Sequence, residues 1–343
     1  MAFEVERIID ANINRLTEGL RVIEDQTRFG NSQKNIIEEF KAIRHSVTNI
    51  VKELNLNLLE NRFLDNDHGR DIKGESEYER LGVQDLLMAN FKRAQEACRV
   101  IEESLKIFSN KESQTFEKHR YRLYDLQQIV VLNKPFPINC LYALITKSLC
   151  KKEPLEIVKM IRDGGADILQ LREKDMEDAE FLEWALQVKE VLSGSEVSLI
   201  INDRIHIAQL IDAQGVHLGQ GDLDISQARK LLKPWQWIGR STSALPVAKK
   251  AFDEGHTYIG VGPLFPTNTK KHRGAVGLEY IEQVNENCSI PYVAIGAINR
   301  DTIDSVLEAK PKGIAVCTGI IAGENPLEET LFFKNKINSV DYS

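Results

Sequence analysis

Two aspartates lie at the ends of consecutive apolar stretches of the sequence: Asp203 in the tip of 197–204, and Asp222 just after 215–220. Each stretch has the character of a buried strand, and parallel strands that follow one another in the chain are commonly neighbours in the fold. Two carboxylates at neighbouring strand ends can bind one hard cation, and Mg²⁺ fits best because it prefers oxygen ligands and is often completed by substrate phosphates. Each aspartate could instead cap the helix after its strand. The pattern therefore predicts a magnesium site, with helix capping as the alternative.

Basic side chains follow two further apolar stretches. Arg172 and Lys174 lie at the end of the stretch 166–173, and Lys270 with Lys271 lie in the polar segment 267–274. An arginine offers a bidentate fork and a lysine a point charge, which are the two usual ways of binding phosphate oxygens. Together with magnesium they predict a diphosphate site. The polar segment is predicted to close over the ligand, and a solvated basic turn is the alternative.

The last two apolar stretches end in small or hydroxyl residues, Gly296 with Ala297 and Cys317 with Thr318. Backbone N–H groups and a helix N-terminus at such ends commonly bind a phosphate, which implies a second anionic substrate. Cys317 could be a nucleophile, but the sequence offers it no evident basic partner, so a backbone role is favoured. His217 could act as an acid or a base, or be packed and hydrogen-bonded, and we assign it no role.

Eight apolar stretches must position these residues, and each ends in a polar or glycine-rich tip. They span residues 141–146, 166–173, 197–204, 215–220, 237–243, 258–267, 291–298 and 313–320. Segments with helical periodicity separate them, so the repeated strand–helix unit predicts an α/β fold, a closed (β/α)₈ TIM barrel. Active sites in that fold lie at the C-terminal ends of the strands, where these tips fall.

The N-terminal region has helical periodicity and no strand pattern, which predicts an all-α domain. It also repeats itself: residues 11–15, Glu18 and 21–24 match residues 89–93, Glu96 and 99–102. A weaker match pairs residues 43–44 with 121–122, so each repeat is predicted to contain two helices related by a pseudo-twofold axis. The repeated Arg and Glu residues either form salt bridges between helices or line an anion or effector pocket. The sequence leaves both interpretations open.

The segment 133–137 contains two prolines, which end the last helix and mark a boundary between an α-helical domain, 1–135, and a barrel domain, 136–343. A net charge of −7 and a pI of about 5.7 argue against a nucleic-acid surface. No window approaches the ~18 apolar residues of a membrane span. Five scattered cysteines and an N-terminus without a signal pattern favour a reducing, cytoplasmic location, without a disulfide framework or a zinc site.

Five motifs occur in a fixed order along the C-terminal part. They are Gln170-Leu171-Arg172-Glu173-Lys174, Ile201-Asn202-Asp203-Arg204, residues 215–220 with Asp222, residues 260–263 running into 266–271, and Val293-Ala294-Ile295-Gly296. In this order and spacing, over about residues 140 to 337, they resemble thiamine phosphate synthase (thiamine-phosphate pyrophosphorylase). The N-terminal repeat resembles the helical extension on a longer form of that enzyme.

The resemblance implies a transferase of thiamine biosynthesis. It would join 4-amino-2-methyl-5-(diphosphooxymethyl)pyrimidine to 4-methyl-5-(2-phosphoethyl)thiazole, with or without a 2-carboxylate on the thiazole, and release pyrophosphate. The displacement would be dissociative and assisted by Mg²⁺, because a departing diphosphate needs cations where its charge grows. The implied partners are phosphorylated small molecules, and neither a nucleic acid nor a membrane. We also expect the helical domain to serve as a scaffold or to support a homo-oligomer.

The resemblance also implies a role for individual residues. Arg172, Lys174 and Lys270 would be the catalytic cations, and Asp203 and Asp222 would hold Mg²⁺. The pyrimidine diphosphate would be bound by Gln170, Leu171, Arg172, Glu173, Lys174, Asn202, Ser241 and Lys270. The thiazole phosphate would be bound by Thr267, Asn268, Thr269, Ala297, Cys317 and Thr318. Members of the family usually have glycine at position 297 and Val-Ser or Ile-Ser at 317–318. Both contacts are expected through backbone N–H groups, so alanine and cysteine are tolerable there if the local φ is negative.

Two other functions compete with this one. A related thiazole tautomerase shares the barrel, but its proton transfer centres on a histidine, and the tip of the fifth stretch, Ser241-Thr242-Ser243, contains none. A sensor of thiamine precursors without catalytic activity is the other alternative. The full set of catalytic-type residues argues against a sensor, and turnover by the purified protein would separate the two.

Overall fold

The computed structural model describes residues 2–30, 34–54, 80–266 and 274–340. The chain divides into two compact units, Met1–Pro135 and Phe136–Ser343. Each unit buries its own apolar cluster. None of the helices in the described ranges is long and apolar enough to cross a membrane.

The first unit is helical, as its periodicity predicts. Its described helices are α1 (Ala2–Gly30), α2 (Lys34–Glu53), α3 (Val83–Leu105) and α4 (Asn110–Leu132). Apolar residues at helical spacing face inward along each helix, for example Leu16, Leu20 and Ile23 on α1 and Phe91 and Ile101 on α3, all fully buried.

Each repeat places a buried glutamate of its first helix against an arginine of its second. Glu24 pairs with Arg44 at 2.6 Å, and Glu102 pairs with Arg120 at 2.8 Å. Both glutamates are almost completely buried. These pairs support the interpretation of the repeated charges as salt bridges between helices.

The match between residues 43–44 and 121–122 is two positions out of register. The equivalent of Arg44 is Arg120, because both lie four residues after a buried phenylalanine and both contact the buried glutamate of their own repeat. Arg122 instead forms an ion pair with Glu39, which belongs to the other repeat.

The second unit is a closed barrel of eight parallel strands, each paired with its neighbours in chain order. The strands are β1 (Cys140–Ile145), β2 (Ile168–Leu171), β3 (Ser198–Asn202), β4 (Gly215–Leu218), β5 (Trp237–Thr242), β6 (Tyr258–Val261), β7 (Tyr292–Ile295) and β8 (Gly313–Val316). The predicted TIM barrel is confirmed.

Helices follow the strands. They are α5 (Pro154–Asp163), α6 (Asp178–Leu192), α7 (Ile205–Leu210), α8 (Ile225–Leu231), α9 (Leu245–Asp253), α10 (Glu279–Asn287), α11 (Ile303–Glu308), α12 (Thr318–Ile321) and α13 (Pro326–Asn338), and a 3₁₀ turn, Lys147–Leu149, follows β1. Several strands are shorter than their apolar stretches. The last one ends at Val316 because Thr318 already begins α12, so the tip of the eighth stretch is a helix start.

Aromatic side chains fill the inside of the barrel near the N-terminal ends of the strands. Phe136 stacks on the ring of Tyr258 with the ring centroids 4.2 Å apart, and it lies 5.1 Å from Trp237. Gly239 makes room for Tyr258, since a Cβ at this position would lie 2.2 Å from the tyrosine ring. This packing closes the lower interior and leaves the opposite end open for a site.

Candidate active site

A cavity of about 430 Å³ occupies the barrel end where the strands finish. Seven of the predicted site residues line it: Gln170, Arg172, Asn202, Ser241, Ala297, Cys317 and Thr318. They come from β2, β3, β5 and the segments after β7 and β8, so residues far apart in sequence meet in one space. Tyr142 and His217 also line the cavity, although sequence reasoning assigned them no role there.

Two predicted ligands of the pyrimidine diphosphate point elsewhere. The side chain of Leu171 is fully buried in the apolar layer between strands and helices, so only its backbone can reach a ligand. The Glu173 carboxylate accepts a hydrogen bond of 2.6 Å from the backbone N–H of Lys147, at the start of the 3₁₀ turn. Burial raises the pKa of Glu173. Its visible function is to cap this turn.

Asp203 and Asp222 lie side by side at the ends of β3 and β4. Burial and the neighbouring Asp222 carboxylate together raise the pKa of Asp203 to about 6, while the charge of Lys174 opposes the shift. Asp203 has a φ of +61°, and its backbone N–H donates to the carbonyl of His217 at 3.0 Å. The unusual backbone therefore fixes the carboxylate beside Asp222.

The alternative of helix capping fails for both aspartates. Arg204 precedes α7 with no side-chain cap, and Asp224 caps α8 by accepting from the backbone N–H of Gln227. Asp222 accepts from the N–H of Gly219 at 2.5 Å within a turn. The half-buried Asp203 and the exposed Asp222 are carboxylates that repel each other, and such a pair of oxygen donors suits Mg²⁺. No cluster of three or more His, Cys, Asp or Glu residues that could hold a metal occurs among the described residues.

The end of β7 carries two unusual backbone conformations. Gly296 has a φ of +126°, and a Cβ there would lie 2.5 Å from the backbone nitrogen of Leu264. Ala297 has a φ of +51°. The condition of a negative φ at Ala297 is therefore not met, and alanine occupies a left-handed conformation that favours glycine.

Cys317 lies directly before α12 and lines the cavity. Burial raises the pKa of its thiol to about 11, although the positive charge of Arg172 opposes the shift. A thiol of this kind is almost entirely protonated at neutral pH and is a poor nucleophile. The backbone role favoured from the sequence is consistent with this environment.

A chain of hydrogen bonds crosses the inside of the barrel below the cavity. Gln170 Nε2 donates to the Tyr142 hydroxyl at 2.7 Å, and that hydroxyl lies 2.9 Å from the hydroxyl of Tyr258. The Tyr258 hydroxyl is 3.1 Å from His217 Nδ1, and His217 Nε2 is 3.0 Å from Ser241 Oγ. This chain could not be predicted from the sequence, because both tyrosines lie in apolar stretches whose residues are expected to be buried in the core.

The segment 267–273 lies outside the described residues. The sequence places Thr267, Asn268, Thr269 and Lys270 there, together with Lys271. Their contacts with either substrate stay predictions.

Comparison with known proteins decides the family. The sequence profile described as "Thiamine monophosphate synthase" matches residues 141–320, from β1 to α12. A thiamine-phosphate synthase from Nostoc sp. is 36% identical over 336 residues, which cover 98% of this chain and 95% of the relative. Another from Gloeobacter violaceus is 36% identical over 337 residues, 97% of both chains. This chain belongs to the thiamine-phosphate synthase family.

A solved structure supports the assignment for the barrel. The thiamine phosphate pyrophosphorylase from Pyrococcus furiosus superimposes with a TM-score of 0.54 at 31% identity, covering 58% of this chain and 95% of that one. The helical unit matches a separate profile, described as "ThiD2 family", over residues 7–129. The relatives from Nostoc sp. and Gloeobacter violaceus match nearly the whole chain and thus share both of its units.

Proposed function

We propose that this thiamine-phosphate synthase joins its two substrates in the barrel cavity by a dissociative displacement assisted by Mg²⁺. As a member of the family, the chain is a transferase that makes thiamine phosphate. The pyrimidine diphosphate would lose pyrophosphate, and the thiazole nitrogen would then bond to the pyrimidine methylene carbon. The observation that carries this proposal is that Arg172, Ala297, Cys317 and Thr318 line one cavity at the barrel end where Asp203 and Asp222 also lie side by side. We assign the aspartates and Arg172 to one half of the site, and Ala297, Cys317 and Thr318 to the other.

The first half suits a diphosphate leaving group. Arg172 lines the cavity, and Lys174 is close enough to influence the ionisation of Asp203. Both cations stabilise negative charge that grows on the departing oxygen. Mg²⁺ held by Asp203 and Asp222 would supply further neutralisation of that charge. Lys270 is proposed as a third cation.

The second half suits the thiazole phosphate. Ala297 and Cys317, which lie after β7 and β8, line the cavity together with the hydroxyl residue Thr318. The proposed mechanism needs no protein nucleophile, because the pyrimidine cation is captured by the second substrate. The high pKa of the Cys317 thiol agrees with this. Turnover measured separately with the thiazole phosphate and with its 2-carboxylate form would show which of the two is the substrate.

Turnover by the purified full-length protein tests the proposal. With both substrates and Mg²⁺, we expect equal amounts of thiamine phosphate and pyrophosphate. Asp203→Asn and Lys270→Ala should each lower kcat by ~10² or more, since one such contact is worth about 2.7–4 kcal/mol in the transition state. Asp212→Asn is the matched control, because Asp212 also has a positive φ, is exposed, and pairs with Lys233. No product from the wild type would refute the proposal.

The tautomerase alternative loses support from the contacts of the cavity histidine. Both ring nitrogens of His217 lie within hydrogen-bond distance of protein hydroxyls, on Tyr258 and Ser241. A histidine held on both sides is poorly placed to exchange protons with a ligand. Conversion of the thiazole phosphate alone, without the pyrimidine diphosphate, would restore that alternative, and binding of both substrates without turnover would favour a sensor.

We propose further that the helical unit mediates self-association of a cytoplasmic enzyme. Phe29 and Ile107 are 78% and 70% exposed, and the 78 residues between them equal the spacing of the repeat. Exposed apolar side chains of this kind often mark interaction surfaces. Sedimentation velocity should show an oligomer that weakens in the Phe29→Ser, Ile107→Ser double variant. A wild type that is monomeric at every concentration would contradict this.

A further inference from the structure

The hydrogen-bond chain in the barrel joins two predicted ligands of the pyrimidine diphosphate through three other residues. Gln170 and Ser241 stand at its ends and line the cavity, while Tyr142, Tyr258 and His217 connect them. Five strands contribute one residue each: β2, β1, β6, β4 and β5. Because each hydroxyl in such a chain can donate only one proton, the direction of one hydrogen bond constrains the next.

The direction follows from the Gln170 end. The amide nitrogen of Gln170 donates to the Tyr142 hydroxyl, so Tyr142 is free to donate its own proton to Tyr258. Tyr258 then donates to His217 Nδ1, which must be the unprotonated nitrogen of a neutral ring. The other nitrogen, Nε2, carries the proton and donates to Ser241 Oγ.

The two ends therefore present opposite groups to a ligand. Since Nε2 of Gln170 is engaged by Tyr142, the atom that this amide offers to the cavity is its oxygen, an acceptor. Ser241 accepts from His217, so its own O–H is available as a donor. Reversing every bond in the chain would exchange these two roles.

The interior packing makes reversal costly. Tyr142 and Tyr258 are 1% and 0% exposed, and Phe136 stacks on the Tyr258 ring. Burial raises the pKa of both hydroxyls, which keeps them protonated and able to donate. A buried chain whose members are all satisfied is rigid, because breaking any bond leaves a buried polar atom without a partner.

We infer that Tyr142, Tyr258 and His217 are positioning residues that hold the Gln170 oxygen toward the cavity, and thereby make the site select a pyrimidine with a 4-amino group over the same ring with a 4-oxo group. The inference rests on the proposed function. An amino group donates to the Gln170 oxygen, whereas an oxo group faces it with a second acceptor. Removing one hydroxyl from the chain should free the amide to rotate and accept either ring.

The test is the ratio of kcat/KM for the 4-amino substrate to that for its 4-oxo analogue, measured with the thiazole phosphate saturating. This ratio is independent of the fraction of folded enzyme. The wild type should prefer the amino substrate by ~10² or more. Tyr142→Phe should reduce the ratio at least about tenfold, because activity on the oxo analogue rises as that on the amino substrate falls.

The variant Tyr258→Phe tests whether the effect passes along the whole hydrogen-bond chain or depends only on the direct bond between Tyr142 and Gln170. The Tyr258 hydroxyl lies against that of Tyr142, one step along the chain from Gln170. Without the Tyr258 hydroxyl, Tyr142 can turn to donate to the Gln170 oxygen, so the ratio should again fall. Tyr292→Phe is the control, because the Tyr292 hydroxyl donates to Asn285 at 2.7 Å on the outer side of the barrel. Its ratio should stay within twofold of the wild type.

The outcomes are distinguishable. If the wild type forms no thiamine phosphate from the amino substrate, the proposed function fails and this inference fails with it. If the wild type turns over but Tyr258→Phe keeps the wild-type ratio, only the positioning chain is overturned. A fall of the ratio in Tyr292→Phe as large as that in Tyr258→Phe would likewise overturn it, since loss of any buried hydroxyl would then suffice.

Discussion

Ala297 occupies a backbone conformation in which a Cβ is unfavourable, and this makes its replacement informative. Replacing a left-handed alanine by glycine removes about 1–2 kcal/mol of backbone strain from the folded state. The glycine also lowers stability by about 0.5–1 kcal/mol, because it gives the unfolded chain more conformational entropy. We therefore expect Ala297→Gly to be neutral or to stabilise the barrel by up to about 1 kcal/mol. Urea unfolding followed by tryptophan fluorescence measures this, since Trp184, Trp235 and Trp237 are the three tryptophans of the chain and all lie in the barrel.

Ala294 supplies the matched control. It lies three residues earlier, on β7, is fully buried, and does not have a positive φ. Ala294→Gly should destabilise the barrel by about 1 kcal/mol, because it removes a packed methyl group and adds backbone freedom. Equal losses in both variants would show that the conformation of Ala297 carries no strain.

The aspartate pair predicts a binding effect that can be measured without turnover. Asp203 and Asp222 repel each other across a partly buried site, and a bound cation would relieve that repulsion. Mg²⁺ should therefore raise the Tm of the wild type, as any ligand of the folded state does. Asp203→Asn should melt higher than the wild type without metal and gain little from Mg²⁺. An equal Mg²⁺-dependent rise in both proteins would place the metal elsewhere.

At the residue scale, charged and polar tips were easier to predict than buried hydroxyls. Arg172, Asn202 and Asp203 stand out in sequence because polar groups at the ends of apolar stretches need a reason to be there. Tyr142 and Tyr258 do not stand out, since a tyrosine within a strand is ordinary core material. Their contribution depends on four other strands, which no local pattern reports.

At the scale of single elements, the turn after β1 depends on Glu173. The carboxylate accepts from the Lys147 N–H, and Leu149, the last residue of the turn, lines the cavity. Glu173→Ala should cost about 1 kcal/mol of barrel stability and raise KM, because it removes the cap. Glu173→Gln keeps an acceptor oxygen and should be close to wild type in both urea midpoint and KM. A loss of kcat/KM in Glu173→Gln with unchanged stability would instead support a direct contact between this carboxylate and the substrate.

The strands could be predicted in number and order, but their ends could not. Seven of the eight apolar stretches contain the whole observed strand and the first misses only Cys140, because burial on both faces demands continuous apolar residues. The stretch 258–267 nevertheless holds a strand of only four residues, since the chain leaves the sheet at Gly262 and Pro263. A Cβ at Gly262 would lie 2.0 Å from the Ile295 oxygen, a contact between strands that only the folded barrel creates.

At the scale of the whole molecule, the internal repeat could be recognised, whereas the register of its second helix could not. The motif shared by residues 11–24 and 89–102 preserves a constant spacing of 78. Glu24 and Arg44 are 20 positions apart, whereas Glu102 and Arg120 are 18 apart, so Arg120 rather than Arg122 takes the place of Arg44. Contacts with a buried glutamate, rather than sequence similarity, define the equivalence.

That equivalence yields a prediction for the helical unit alone. Glu102 is 3% exposed and pairs with Arg120. The guanidinium group of Arg120 also lies over the Tyr121 ring, 4.6 Å from its centroid. Arg120→Ala removes the more buried of two arginines that pair with Glu102 and leaves the half-exposed Arg99 beside this carboxylate. It should destabilise this unit by about 2 kcal/mol. Arg122→Ala is the control: its pair with Glu39 is 37% exposed on each side, and its loss should cost less than about 1 kcal/mol.

Two optical signals separate the units in that experiment. The helical unit contains no tryptophan, so a transition seen by far-ultraviolet circular dichroism but not by tryptophan fluorescence belongs to it. Arg120→Ala should lower only that transition, because each unit buries its own core. Adding Glu102→Gln should recover part of the loss, since the buried charge is then removed. If Arg120→Ala shifted the tryptophan transition as much as the circular dichroism transition, the two cores would unfold as one cooperative unit. If Arg120→Ala destabilised the helical unit no more than Arg122→Ala does, the buried pair would contribute nothing beyond an exposed one.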